Sequence, residues 1–204
     1  MVVETTSRSA MITWKSSFSG NSAITKYVIQ YQGNCSQEHI TEWKESVTLN
    51  ANDHKISLRP LIPMCKYQVR VLAENALGRS EPSSIVQFLT NEEVPGGPPT
   101  DIIVEATSST SFKIKWKPPK REVQYGKIKG YYIGYKIADS IVEPFQYKNV
   151  EAIGDNDGTK YEMTYITNLK RKTNYIIILQ AYNNVGAGPR SDEVCFSYLK
   201  INLL

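Results

Sequence analysis

The residues that could do chemistry in this chain are few and far apart. Asp155-Asn-Asp157-Gly158 offers calcium-ligand types, but a helix–loop–helix calcium loop needs Gly three residues after its second acidic ligand and Glu at its twelfth position. Here Gly158 follows at once and Ile166 stands at the twelfth position, so the run reads as a turn between strands. His39 and His54 are solitary, with neither a nucleophile nor paired carboxylates near them in sequence, so no catalytic constellation forms. Cys35, Cys65 and Cys195 are an odd, widely spaced set without a C-x-x-C pair. That spacing speaks against a metal site and leaves open whether two of them pair. Asn34-Cys35-Ser36 is the one N-x-S/T sequon, placed where a loop is expected. It is a glycan acceptor if the chain is exported, although the middle cysteine hinders transfer; otherwise it is a chance tripeptide.

Positive charge falls in two places, Lys113, Lys115, Lys117, Lys120 and Arg121, and Lys170-Arg171-Lys172. The alternate spacing of the first set puts its lysines on the solvent face of a strand. Aromatic interleaving of the kind a single-stranded nucleic-acid groove requires is not organised around either set. No cofactor and no nucleic-acid partner are implied.

The elements that carry these residues occur twice. Leu61-Ile-Pro63-Met-Cys65-Lys-Tyr67 leads into alternating Val69, Val71 and Ala73 and ends at Asn75-Ala-Leu-Gly78. Leu169-Lys-Arg171-Lys-Thr173-Asn-Tyr175 leads into Ile177, Leu179 and Ala181 and ends at Asn183-Asn-Val-Gly186. In each copy a Leu stands six residues before a Tyr, and apolar residues alternate out of that Tyr. This reads as a chain crossing between sheets and entering a long strand, with the Tyr ring buried and its hydroxyl returned to nearby backbone. Upstream, Ala10, Ile12 and Trp14 match Phe112, Ile114 and Trp116, each Trp being a large buried anchor. Strand patterns at Ile24–Tyr31 and Ile128–Tyr135 place Tyr and Ile inward. Trp43, Val47 and Leu49 in the first copy, and Phe145, Tyr147 and Val150 in the second, mark edge strands. Between Thr164 and Leu169 two phases are open: Thr164 and Ile166 inward, or Met163 and Tyr165 inward. No stretch reads as helical.

At 204 residues with 41% hydrophobic content, the repeat divides the chain into 1–93 and 94–204, each near the usual ~100-residue domain size. The first half holds nine Lys/Arg against nine Asp/Glu and the second fifteen against eleven, so the net +4 resides in the second. No apolar run approaches the ~20 residues of a membrane span, and no signal segment is evident. Met1-Val-Val3 already reads as strand, so the chain is expected to be a fragment with the start of its first strand missing. The join, Asn91-Glu-Glu-Val-Pro95-Gly-Gly-Pro98-Pro99, is short and is expected to allow limited swing.

These features together resemble fibronectin type III domains: a Trp on the second strand, the L-x-P-x-T-x-Y corner, an A-x-N-x-x-G strand end and a Ser/Pro-bearing last turn. Cys65 replaces the usual Thr and Arg171 the usual Pro. The resemblance implies an all-β fold of two tandem seven-stranded immunoglobulin-like sandwiches, three strands packed on four. It also brings the connections bearing Cys35 and Cys65 to one pole, which permits a bridge as an alternative to two free thiols. More narrowly, Gly97-Pro-Pro99-Thr-Asp-Ile, Trp116-Lys-Pro-Pro119, Lys129-Gly-Tyr-Tyr132-Ile-Gly-Tyr135 and Gln180-Ala-Tyr-Asn183-Asn-Val-Gly-Ala-Gly188-Pro189 resemble the Down syndrome cell adhesion molecule (Dscam) family.

That resemblance implies a non-enzymatic, extracellular segment of a membrane-anchored adhesion receptor with a protein partner, homophilic cell recognition and axon guidance being the family's business. The segment would act as a semi-rigid spacer, with lateral contacts made by one surface. Alternation puts Tyr132, Ile176, Ile178 and Tyr182 on the outer face of the second half, whereas Gln68, Arg70, Leu72, Glu74, Val28 and Gln30 occupy the equivalent places in the first. Two other classes compete: a ligand-binding receptor of cytokine or matrix type, and an intracellular repeat pair of the giant muscle-protein kind. The lack of WSxWS and RGD motifs weighs against the former, and three free thiols would favour the latter.

Overall fold

The computed structural model describes residues 1–16, 19, 21–35, 38–39, 42–48, 50–140, 142–153 and 159–197. Ser36, Leu49, residues 155–158 and the tail 200–204 lie outside them, so the turn assigned to 155–158 does too. The chain forms two compact units, Met1–Glu93 and Val94–Leu204.

In the first unit the strands are β1 (Val2–Thr5), β2 (Ala10–Thr13), β3 (Ile24–Cys35), β4 (Glu38–His39), β5 (Lys44–Val47), β6 (Lys55–Leu58), β7 (Lys66–Asn75), β8 (Gly78–Arg79) and β9 (Val86–Leu89). The second unit has β10 (Thr100–Ser108), β11 (Ser111–Lys117), β12 (Gly130–Ile137), β13 (Gln146–Glu151), β14 (Glu162–Ile166), β15 (Tyr175–Tyr182), β16 (Ala187–Arg190) and β17 (Val194–Phe196). β1-β2-β6 form one antiparallel sheet, and β3 pairs with β4, β5 and β7 in the other, where β7 also takes β8 and β9. The second unit repeats this with β10-β11-β14 and with β13-β12-β15, to which β16 and β17 are added. Each unit is thus three strands against four, its last strand broken into two segments; β4 is a two-residue addition at the end of β3.

Period-2 alternation explains what lies between the sheets. Ile12, Trp14, Ile29, Tyr67 and Val69 are buried in the first unit, and Ile114, Trp116, Ile133, Tyr175 and Ile177 in the second. The two indoles meet the following strand in the same way: Trp14 and Tyr27 lie edge to face at 5.3 Å, Trp116 and Tyr131 at 5.1 Å. At the sheet-to-sheet crossings Leu61 and Leu169 are buried. The Ile62 N–H donates to the Tyr67 hydroxyl at 3.0 Å, and the Lys170 N–H donates to the Tyr175 hydroxyl at 2.9 Å. Burial, the larger influence, raises the Tyr67 hydroxyl above the ordinary phenol range. Three residues after each Leu, Met64 and Lys172 both take φ 51°, which lets the chain turn from the crossing into the strand.

Two local readings change, and one left open between two phases is decided. A single 3-10 turn, Arg121–Val123, stands where no helical stretch is read; the Val123 N–H closes it on the Lys120 carbonyl at 3.0 Å, and the buried Gln124 side chain donates to the Pro119 carbonyl at 2.8 Å. Asn34 and Cys35 belong to β3 rather than to a loop, because they pair with β4 on one side and Asn34 pairs with Lys66 of β7 on the other. On β14 the inward residues are Glu162, Thr164 and Ile166, while Met163 and Tyr165 are exposed.

That phase buries a carboxylate. Glu162 accepts from the Tyr131 hydroxyl at 2.7 Å and from the Ile153 N–H at 3.1 Å, so both of its oxygens are engaged. Burial, followed by the carboxylate itself, drives the Tyr131 hydroxyl far above its ordinary range. In the first unit the matching Tyr27 hydroxyl instead donates to Ser16 Oγ at 3.2 Å.

Replacing Tyr67 or Tyr175 by Phe leaves the Ile62 or Lys170 N–H without its acceptor. The expected loss is about 1–3 kcal/mol of the affected unit's stability, read by urea unfolding. A loss below a few tenths in both variants would show that the crossings do not rest on these hydroxyls.

Candidate protein-contact face

The outer face of the β13-β12-β15 sheet is built by the residues that alternation turns away from the core. Tyr132 sits between Asn149 and Gln180, Gly134 between Tyr147 and Ile178, and Lys136 opposite Ile176. The Tyr132 and Tyr182 rings stack at 4.7 Å, and the Tyr182 hydroxyl donates to Asn149 Oδ1 at 3.1 Å. Lys136 Nζ lies 4.9 Å from the centre of the Phe145 ring, which neighbours Tyr147 at 6.3 Å.

Ile178 does not present itself to solvent. A Cβ on Gly134 would meet Ile178 Cγ1 at 2.8 Å and Tyr147 Cε1 at 2.9 Å, so the two side chains close over the glycine and Ile178 is only 4% exposed. Tyr147, 49% exposed on the edge strand, supplies the apolar surface instead. Tyr132, Ile176 and Tyr182 are partly exposed. Cys195 pairs with Ile176 across β15 and β17, so its free, exposed thiol borders the same face.

On the equivalent face of the first unit Val28 and Leu72 lie side by side and buried, next to exposed Val47, and the positions around them are closed by polar groups. Arg79 Nη1 lies 2.9 Å and Arg79 Nε 3.1 Å from Glu45 and Glu74, and Lys26 Nζ lies 2.8 Å from Glu74. Gln30 donates to Glu45 at 2.9 Å and accepts from Arg70 at 2.7 Å, with Arg70 stacked 4.2 Å from the Trp43 ring centre. The Gln30 amide and then Arg79 hold the Glu45 carboxyl below the usual glutamate range; Lys26 and then Arg79 do so for Glu74. Any partner of this face would first have to break these contacts.

The basic set on β11 is likewise engaged. Lys113 and Lys115 reach Glu105 at 2.7 and 3.0 Å, and Lys117 reaches Asp101 at 2.8 Å. Aromatic residues do flank this row, contrary to the reading along the sequence: Tyr165 pairs with Lys113, and Lys117 lies 5.1 Å from the Tyr161 ring centre. Tyr165 lies on β14 and Tyr161 just ahead of it, far away in the chain, so linear spacing could not reveal them. With two carboxylates among three lysines, most of the row's positive charge is offset at the strand surface.

Cys35 and Cys65 form a disulfide with their Cα atoms 4.7 Å apart, joining the end of β3 to the residue before β7. Asn34 beside it is exposed. Asn75 and Asn183 cap their own turns, accepting from Leu77 N–H at 2.9 Å and Val185 N–H at 3.0 Å. Among the described residues no three His, Cys, Asp or Glu are grouped to hold a metal ion, and no helix is long and apolar enough to cross a membrane.

The model of the family described as fibronectin type III domain matches residues 1–89 and again 97–196. Among curated proteins, the chain is 32% identical over 194 residues to Cell adhesion molecule Dscam1 of Drosophila melanogaster and 35% identical over 191 residues to Cell adhesion molecule DSCAML1 of Homo sapiens. It is 34% identical over 199 residues to Cell adhesion molecule DSCAM of Gallus gallus. These alignments cover 94%, 94% and 97% of this chain, which spans 9% of the length of each relative. Among solved structures, the chicken CNTN1 FN1-FN3 domains match at 24% identity and a TM-score of 0.44, over 96% of this chain and 64% of that one.

Closing a loop with a 30-residue separation, the Cys35–Cys65 bridge is expected to contribute about 3 kcal/mol to the first unit on a chain-entropy model. Urea unfolding with and without reductant should lower the first unit's midpoint and leave that of the second in place. Unchanged unfolding, or alkylation of Cys35 in the unreduced protein, would contradict the bridge.

Proposed function

Because the chain belongs to the fibronectin type III family, as two tandem domains of that kind, we propose that it is an extracellular segment of a Dscam-like adhesion receptor that makes homophilic contacts through its second domain. The observation that carries the contact is the contrast between the two outer faces. In the first domain, Glu45, Glu74, Arg79, Lys26 and Gln30 satisfy one another. In the second, stacked Tyr132 and Tyr182 with Tyr147 and Ile176 offer an aromatic and aliphatic surface. Aromatic residues anchor interfaces because they bury large area with few rotors.

Its other role is to hold distance. A strand such as β7, ten residues long, spans roughly 30 Å at ~3.3 Å per residue, so each domain adds a step of about that size between the parts it joins. A disulfide in the first domain suits an oxidising, extracellular compartment and an anchored parent on the cell surface. Asn34 is exposed and would carry a glycan there; an endoglycosidase-sensitive mass on chain secreted from eukaryotic cells supports this, and an unshifted mass opposes it.

The contact is tested with Tyr147→Asp combined with Ile176→Asp. Both positions point outward, so the second domain should retain its melting transition. Sedimentation and bead-aggregation assays should then lose self-association at concentrations where the unaltered chain shows it. Equal self-association in a folded double variant would sink the proposal. Glu45→Lys in the first domain serves as the reference and should leave association in place.

A further inference from the structure

The outer face of the second domain carries two isolated, opposite charges at matching places. Lys136 and the cross-strand pair Gly130–Glu151 stand three residues to either side of Ile133 on β12, about 10 Å each way at ~3.3 Å per residue. Gly130 also pairs with Tyr182 of β15, and Lys136 with Ile176. Along the sheet the outward levels therefore read Glu151–Gly130–Tyr182, Asn149–Tyr132–Gln180, Tyr147–Gly134–Ile178 and Lys136–Ile176.

Lys136 and Glu151 cannot meet within one copy, because about 20 Å of strand separates their levels. Lys136 leans on the Phe145 ring, and exposed Glu151 joins no ion pair with the described residues. In the first domain, by contrast, Lys26, Glu45, Glu74 and Arg79 are close enough to satisfy one another. A basic end, a tyrosine-bearing middle and an acidic end make a surface that complements itself when turned end for end.

We propose that this face pairs with the same face of a second copy in an antiparallel, two-fold arrangement. The axis lies in the contact plane at the level of Ile133 and runs across the strands. Resting on the self-association already proposed for this face, the pairing brings Lys136 of each copy to the other's Glu151, and Tyr182 of each to the other's Ile176. Tyr132 comes onto the Tyr147 and Ile178 side chains that cover the other copy's Gly134. Arg190, beside Gln180 on β16, meets neither charge. An axis running along the strands would instead set Lys136 against Lys136 and leave each Glu151 facing Tyr182. The four levels and three strands cover about 20 Å by 15 Å, at the small end of specific interfaces, so one contact is weak and many must act together.

Sedimentation equilibrium of the full chain at low ionic strength tests the pairing. It compares Lys136→Glu, Glu151→Lys, both changes in one chain, and an equal mixture of the two single variants. Each single variant sets like charges together at both ends and is expected to weaken self-association about tenfold. The double variant and the mixture restore opposite charges at both ends and are expected to recover the unaltered chain's association. Single variants that associate like the unaltered chain, or a mixture that does not recover, overturn the pairing. Tighter association of Lys136→Glu with the unaltered chain than of either with itself overturns it in favour of the axis along the strands. Tyr147→Asp combined with Ile176→Asp separates the two layers of the proposal. If that variant loses association while the charge variants keep it, the face is used in another orientation and the pairing alone fails. If it keeps association as well, the homophilic use of the face fails together with the pairing.

Discussion

The structure depends on keeping one indole dry between two sheets, twice over. Trp14 and Trp116 each meet a Tyr of the next strand edge to face, and each pair fixes which residues of that strand point inward. A strand's side chains alternate with period two, so a slip of a single residue would turn its whole inner set outward. The outer faces are therefore set by the core: once Tyr131 and Ile133 face Trp116, Tyr132 and Gly134 must face out. The outer surface is what the core leaves over, and its composition is where the two domains diverge.

That divergence has a physical sense. In the first domain the outer residues around buried Val28 and Leu72 are mostly long and polar or charged, and they pair across β5, β3, β7 and β8. Individually exposed ion pairs add little stability. Collectively they make a surface whose groups would lose partners on binding. In the second domain a glycine at position 134 lets Tyr147 and Ile178 close over the strand, and the stacked Tyr132 and Tyr182 continue the surface. Desolvating such a surface removes apolar area from water at little polar cost.

The features legible in the sequence are those whose information is local. The corner needs only a Leu and a Tyr six residues apart, and the hydrogen bonds from Ile62 and Lys170 to the two tyrosines lie within that span. The indole anchors and long strands are equally local, being carried by alternation alone. What the sequence left open depended on residues distant in the chain. Ile178 is covered by Tyr147, about thirty positions away, and Glu162 turns inward because Tyr131 and the Ile153 N–H receive it. Asn34 is drawn into β3 by strands on both sides, and whether Cys35 meets Cys65 depends on how the ends of two strands converge. Tyr165 beside Lys113 belongs to another strand and Tyr161 beside Lys117 stands just ahead of it, which linear spacing cannot express.

The proposed self-association uses the outer face of the second domain and leaves that of the first alone. Backbone amide resonances followed over a concentration series of the intact, isotope-labelled chain test it most directly. Shifts that grow with self-association are expected to cluster on Tyr132, Gly134, Tyr147, Ile176 and Tyr182, while Gln30, Glu45, Glu74 and Arg79 stay fixed. Shifts centred on the charged face of the first domain, with the tyrosines unmoved, would contradict it.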